Sequence, residues 1–190
     1  PPRSTLFPYT TLFRSSLTNF FNKHDASIYR VERINTHGGS IRFYIKKGKT
    51  IKIENSIKEL IKEEEKFGIK KYQTYQEFAK KVYKIRNNIR KNILNLKRKN
   101  NKIIGYGSPA KATTALNFFG ISNEIECIVE DNNLKHGKYL PGMKIPIVSK
   151  DKIKTKPDYA LVLAWNFFEE IEKKNSDLAH KFVSIKDLEN

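Results

Sequence analysis

Residues 102–121 read KIIGYGSPAKATTALNFFGI. A short apolar run ends in Gly105-Tyr106-Gly107-Ser108-Pro109-Ala110, and a helical pattern follows at once. A strand, a glycine turn and a helix start in that order suit an anionic ligand, because free N–H groups at a helix N-terminus attract phosphate. The spacing is GxGxxA. In a dinucleotide turn the first glycine permits the tight bend and the second lets the backbone approach a pyrophosphate. The alanine lets helix and strand pack closely. Ser108 is the expected N-cap, Pro109 the first helical residue and Gly120 the helix stop. Lys111 adds a positive charge to the first turn.

Downstream of this stretch the pattern keeps alternating. Residues 125–129 (IECIV) are expected to form the next strand, and 130–153 an irregular stretch. Residues 159–165 (YALVLAW) read as an apolar strand buried on both faces, hence parallel. A helix over 167–174 and a strand over 182–185 close the chain. This alternation predicts a Rossmann-like α/β domain over 100–190 with a mainly parallel sheet.

Upstream, residues 48–99 carry two charge-rich helix patterns, 56–67 and 75–99. In the second, Phe78, Val82, Ile85, Ile89, Ile93 and Leu96 make one apolar stripe. Residues 28–34 and 41–45 alternate across a Gly38-Gly39 loop and predict an antiparallel hairpin. A lone hairpin is not stable, so this one is expected to end a larger sheet. A short helix begins at about Ser16. Residues 5–15, TLFPYTTLFRS, match one frame of a common sequencing adapter, so 1–15 are set aside as a library artefact. The natural protein is then expected to continue upstream.

The net charge is +17, from 29 Lys and 8 Arg against 20 acids. Such a charge suits nucleic acid. Yet the lysines are spread over the whole chain, and 22 Ile and 17 Asn accompany them. All three residue types have AT-rich codons, so the bias follows from base composition without a selected partner. With 38% hydrophobic residues the composition is globular. No apolar run approaches a membrane span. The single cysteine, Cys127, lies in an apolar run and reads as a buried, inert thiol. A cytoplasmic setting and no metal held by this chain are the expectations.

Two motifs need weighing. Glu130 and Asp131 lie at the end of the second predicted strand, where an acid in a dinucleotide site would hold a ribose hydroxyl; an acidic turn serves equally well. His37-Gly38-Gly39-Ser40 has the look of an esterase oxyanion loop, but the chain contains no GxSxG nucleophile elbow. His136, in the irregular stretch, faces either phosphate or solvent.

Four segments together resemble a known family: HGGSIR at 37–42, GYGSPAKATTALN at 105–117, EDNNLKHGKYLPGMKIPI at 130–147 and PDYALVLAWNF at 157–167. They closely resemble the C-terminal domain of bacterial S-adenosylmethionine-dependent sugar C-methyltransferases. The K-x-G-x-Y-x-P-G-x-x-I-P-I and A-W-N patterns are far more specific than the glycine turn alone. The resemblance implies a zinc-binding module, then a class I methyltransferase domain, then this domain. Residues 16–47 would be the tail of the methyltransferase domain, including its final hairpin, and 48–99 a helical connector.

The resemblance also implies the chemistry. A histidine base removes a proton beside a ketone, and the resulting carbanion attacks the methyl sulfonium. The family's Tyr-x-Glu-His segment, donor-binding glycine loop and zinc cysteines do not occur in this chain. No catalytic residue is therefore assigned to it, and S-adenosylmethionine and any zinc are expected upstream. What remains is substrate orientation for a nucleotide-linked keto-deoxysugar. Gly105, Gly107, Ser108 and Lys111 would face its phosphates, with Asn166 near the same crevice. His37 and Arg42 would border the cleft from the methyltransferase side. Two other readings stay open, a nicotinamide-dependent oxidoreductase and a basic nucleic-acid-binding module.

Overall fold

The computed structural model describes residues 14–35, 39–48 and 51–189. The adapter-like segment up to residue 13 and His37 lie outside the described residues. The chain divides into two compact units, residues 1–80 and 81–190.

In the first unit, helix α1 (Arg14–Lys23) precedes strands β1 (Ala26–Ile34) and β2 (Ser40–Lys47), and helix α2 (Asn55–Phe67) follows. β1 and β2 form the predicted antiparallel hairpin, with Ile34 opposite Ser40 and a bulge between Ile28 and Arg30. Period-two alternation sorts its side chains. Arg30, Glu32, Arg42 and Tyr44 share one face, while Val31, Arg33, Ile41 and Phe43 share the other. On the second face Ser56 Oγ accepts from the Val31 N–H at 3.3 Å, and Arg33 pairs with Glu63 of α2. Gly68 ends α2 in the left-handed conformation, φ 75°.

Helix α3 (Tyr72–Arg98) runs from the first unit into the second. Its apolar stripe is buried at Ile85, Ile89 and Ile93, whereas Phe78 is exposed. Within the second unit, the Asn88 and Asn92 amides donate to the carbonyls of Glu189 and Leu188, and Arg86 Nε donates to the Phe118 carbonyl at 2.6 Å. These bonds tie α3 to the end of α4 and to the C-terminal turn of the domain that follows.

That domain is Rossmann-like α/β. Strands β3 (Ile103–Tyr106), β4 (Ile128–Val129), β5 (Ile147–Val148), β6 (Tyr159–Val162) and β7 (Lys181–Ser184) form one sheet. Their order is β5-β4-β3-β6-β7, and each pair is parallel. Helix α4 (Ala110–Phe119) connects β3 to β4, and α5 (Phe168–Lys174) lies between β6 and β7. The strands are buried on both faces, as helix-covered parallel strands must be. On one face Ile104, Tyr106, Val129, Ala160, Val162 and Phe182 pack with Leu178 and Ala179, and Phe168 and Ile171 of α5 cover them.

Two expectations need correction. The second strand is two residues long, because residues 125–127 reach the sheet only through isolated bonds such as Cys127 O with Gly105 N. The irregular stretch contains the edge strand β5, whose two residues are too few to show a period. The same stretch folds back on itself. Gly137 N–H donates to Ile147 O, Ile147 N–H to Lys138 O, and Tyr139 bridges Pro146 antiparallel. The GKYLPGMKIPI motif is thus a hairpin that covers the sheet edge. Its tip is fastened by Asn117, whose Nδ2 donates to the Pro141 carbonyl at 3.1 Å. Gly142 has φ 74°, and a Cβ there would stand 2.6 Å from Asn117 Oδ1.

Candidate binding site

The chain leaves β3 for α4 on one side and reaches β6 on the other, so the strand order reverses between β3 and β6. In open α/β sheets ligands bind outside the carboxyl ends of the strands at that point. Residues 106–111 and 163–167 form its two borders.

The two glycines serve it differently from the sequence expectation. Gly105 is a strand residue, paired with Ile128 and Leu161, and makes no turn. A Cβ on it would lie 3.0 Å from Ile128 Cγ1 and 3.1 Å from Leu163 Cδ1, so its absence lets three strands close up. Gly107 makes the turn. Its φ is 83°, and a Cβ there would sit 3.1 Å from Ala164 Cβ. The glycine turn therefore lies directly against the Ala164-Trp165-Asn166 segment.

Ser108 is not the N-cap of α4. Pro109 takes that position, and no side chain caps the helix. Ser108 turns instead to Glu130, donating from its backbone N–H at 2.9 Å and its hydroxyl at 2.5 Å to Oε2. Lys135 Nζ donates to the same oxygen at 3.2 Å and to the Ser108 carbonyl at 3.1 Å. The Asn132 N–H donates to Oε1 at 3.1 Å. Three of these four donors converge on Oε2, and Oε1 accepts the fourth. The carboxylate, 12% exposed, is thus engaged by the chain itself rather than held open for a ribose hydroxyl. Glu130 is a staple between the turn and the 132–148 loop.

Electrostatics agree with that role. Burial pushes the Glu130 carboxyl up, but the Ser108 hydroxyl, the two backbone N–H groups and the Lys135 ammonium outweigh it and hold it down at about 2. His136 Nε2 lies 2.7 Å from the Glu130 carbonyl, so the loop grips the strand end twice. Asp131 faces elsewhere. It accepts from the Tyr106 hydroxyl at 2.7 Å and from Lys174 Nζ at 3.2 Å. Asn175, itself buried, donates to Tyr106 Oη at 3.0 Å. Burial first, then the Asp131 carboxylate, keeps the Tyr106 phenol protonated. Burial likewise raises the half-buried Cys127 thiol to about 11, which leaves it inert at neutral pH.

Lys111 stands apart. It is the second residue of α4, where the helix field disfavours a cation by about 0.3–1 kcal/mol. No acid lies in that first turn. Among the described residues its ammonium makes no ion pair, and it stands 5.4 Å from the centroid of the Trp165 ring. A cation–π contact at such a site is worth about 0.5–1 kcal/mol. Asn166 follows Trp165 in a 3-10 turn and is exposed. Ser108 and Lys111 thus lie on one of the two segments that flank the switch point, and Asn166 on the other. Arg42 lies on the hairpin of the other unit, 3.9 Å from Glu32, and is exposed.

A family model described as the C-methyltransferase C-terminal domain matches residues 35–184. The chain belongs to that family. It is also 34% identical to the C-methyltransferase NovU of Streptomyces niveus. The alignment takes in 93% of this chain and 43% of that protein, so the chain spans less than half the length of its curated relative. Among the described residues no cluster of three His, Cys, Asp or Glu side chains is placed to hold a metal, and no helix is long and apolar enough to cross a membrane. The acid at the glycine turn that would take a ribose of S-adenosylmethionine is held by Ser108 and Lys135 instead, so the turn does not fit the methyl donor.

Sequence reasoning missed Lys135. It had the signal in hand, because Lys135 opens the K-x-G-x-Y motif. What it lacked was the 3-10 turn of residues 133–135, which returns that lysine to Glu130.

Proposed function

We propose that this chain is the C-terminal part of a cytoplasmic, S-adenosylmethionine-dependent C-methyltransferase acting on a nucleotide-linked keto-deoxysugar. The family match over residues 35–184 carries this reading. The methyl donor and the base that deprotonates the sugar belong to the upstream part, and the chain by itself has no activity. Its contribution is to hold the substrate's anionic end at the switch-point crevice.

The roles within the crevice follow from charge and packing. Lys111 supplies the cation, since its ammonium faces no carboxylate among the described residues. Asn166 offers an exposed amide from the opposite border. Gly107 keeps the turn clear of a side chain, and Ser108 fixes its shape through Glu130. Gly105 acts indirectly, by letting β3 lie close to its neighbours.

Calorimetric titration with a thymidine-diphosphate sugar tests the reading. We expect Lys111→Ala to weaken binding by about tenfold, the loss of one charge-assisted contact. Unchanged affinity would remove Lys111 from the site. Tight NADH binding by the same chain would favour the oxidoreductase reading instead, and salt-sensitive binding of nucleic acid the third reading.

A further inference from the structure

We propose that Trp165 is the positioning residue for Lys111 in substrate binding. Its indole face holds the ammonium at the mouth of the crevice and releases it to the anion of the ligand. This inference rests on the substrate-binding role proposed for the crevice.

A lysine side chain has four rotatable carbons and a compact, strongly hydrated charge, so an unheld ammonium samples many positions. Lys111 has no carboxylate to hold it among the described residues, and its own helix end repels it. The Trp165 ring is 5.4 Å from Nζ, within the roughly 6 Å reach of a cation–π contact. The ring is itself well placed. Leu163 N–H donates to the Tyr106 carbonyl at 2.9 Å, and Phe167 N–H closes a turn on the Ala164 carbonyl at 2.9 Å. The close approach of Gly107 to Ala164 sets this turn beside the start of α4.

A carboxylate in place of Trp165 would hold Lys111 more firmly and would also neutralise it. An aromatic face orients the cation and leaves its charge available. A charge-assisted bond to phosphate is stronger than a half-exposed cation–π contact, so the ligand wins the ammonium. Binding therefore changes the surroundings of the indole, and Trp165 is the chain's one tryptophan.

The experiment uses this 190-residue chain and thymidine diphosphate as the probe, followed by calorimetry and tryptophan emission. The expected result is saturable binding with a shift in emission that tracks occupancy. Lys111→Ala should bind about tenfold more weakly and lose the emission shift. Trp165→Phe keeps an aromatic face and should bind within about twofold of the parent. Trp165→Leu should bind about three- to fivefold more weakly, with unchanged circular dichroism. Wild-type emission that stays constant through saturation, or Trp165→Leu binding as tightly as the parent, overturns the role of Trp165 and leaves the crevice reading standing. No binding of thymidine diphosphate by the wild-type chain overturns both.

Discussion

Glu32 in the hairpin gathers a hydroxyl and two arginines, and Glu130 beside the glycine turn a hydroxyl and one lysine, yet their surroundings make them different groups. Glu32 accepts from the Tyr44 hydroxyl at 2.7 Å, with Arg30 and Arg42 at 4.0 and 3.9 Å. All four residues lie on one side of a two-stranded ribbon, and the Glu32 side chain is 40% exposed. Glu130 is 12% exposed and has four donors in hydrogen-bond range. Water competes for every contact of the first and for few of the second. A carboxylate beside a tyrosine or a basic residue is thus a weak predictor of structural weight. Burial and donor count decide it.

Removing the better-held group should have the larger effect. Glu130→Ala leaves the Ser108 N–H and hydroxyl and the Asn132 N–H without their acceptor, and Lys135 with the Ser108 carbonyl alone. We expect a loss of about 2–3 kcal/mol in the stability of the second unit, read from urea unfolding. A loss below about 0.5 kcal/mol would show that water replaces the staple at no cost.

Acid should expose the same difference. The Glu130 carboxyl is depressed in the folded chain, from 4.5 to about 2. Its contribution is therefore complete above about pH 4.5 and disappears as pH falls toward 2. Allowing for solvent screening, the amount is on the order of 2 kcal/mol. Unfolding midpoints measured from pH 6 to pH 2.5 should fall less steeply in Glu130→Gln than in the parent. Parallel curves would place the acid sensitivity elsewhere.

The smallest effect belongs to Glu32→Gln. The Glu32 carboxyl is lowered chiefly by the Tyr44 hydroxyl, but the group is open to solvent. We expect an unfolding midpoint unchanged within error, in low salt and in 1 M salt alike. A salt-dependent drop would place the hairpin cluster on the same footing as the Glu130 staple.

Much of this is legible in the amino-acid sequence. The run IIGYG followed by SPAKATTALNFFG marks strand, turn and helix, and Gly120 ends α4 with φ 66° as a helix-stop glycine does. YALV is apolar throughout because both its faces are buried. Other features had no sequence signal. The two residues of β5 are too few to show a period, and Ser108 looks like an N-cap until Glu130 is seen to claim both its donors. His37, singled out by its sequence motif, lies outside the described residues.

The sequence by itself determined the class of the fold and the family, because periodicity, turn residues and motif spacing are local properties. Tertiary structure decided what the acids and glycines do. Gly105 is a glycine because side chains of two neighbouring strands fill the space of its Cβ. Glu130 is a staple because a loop returns Lys135 to it, and Lys111 meets an indole because the strand order reverses between β3 and β6. Gly105 and Lys111 meet residues 23 to 58 positions away, and Glu130 joins Lys135, five positions on, to Ser108, 22 positions back; the long separations close only when the sheet forms.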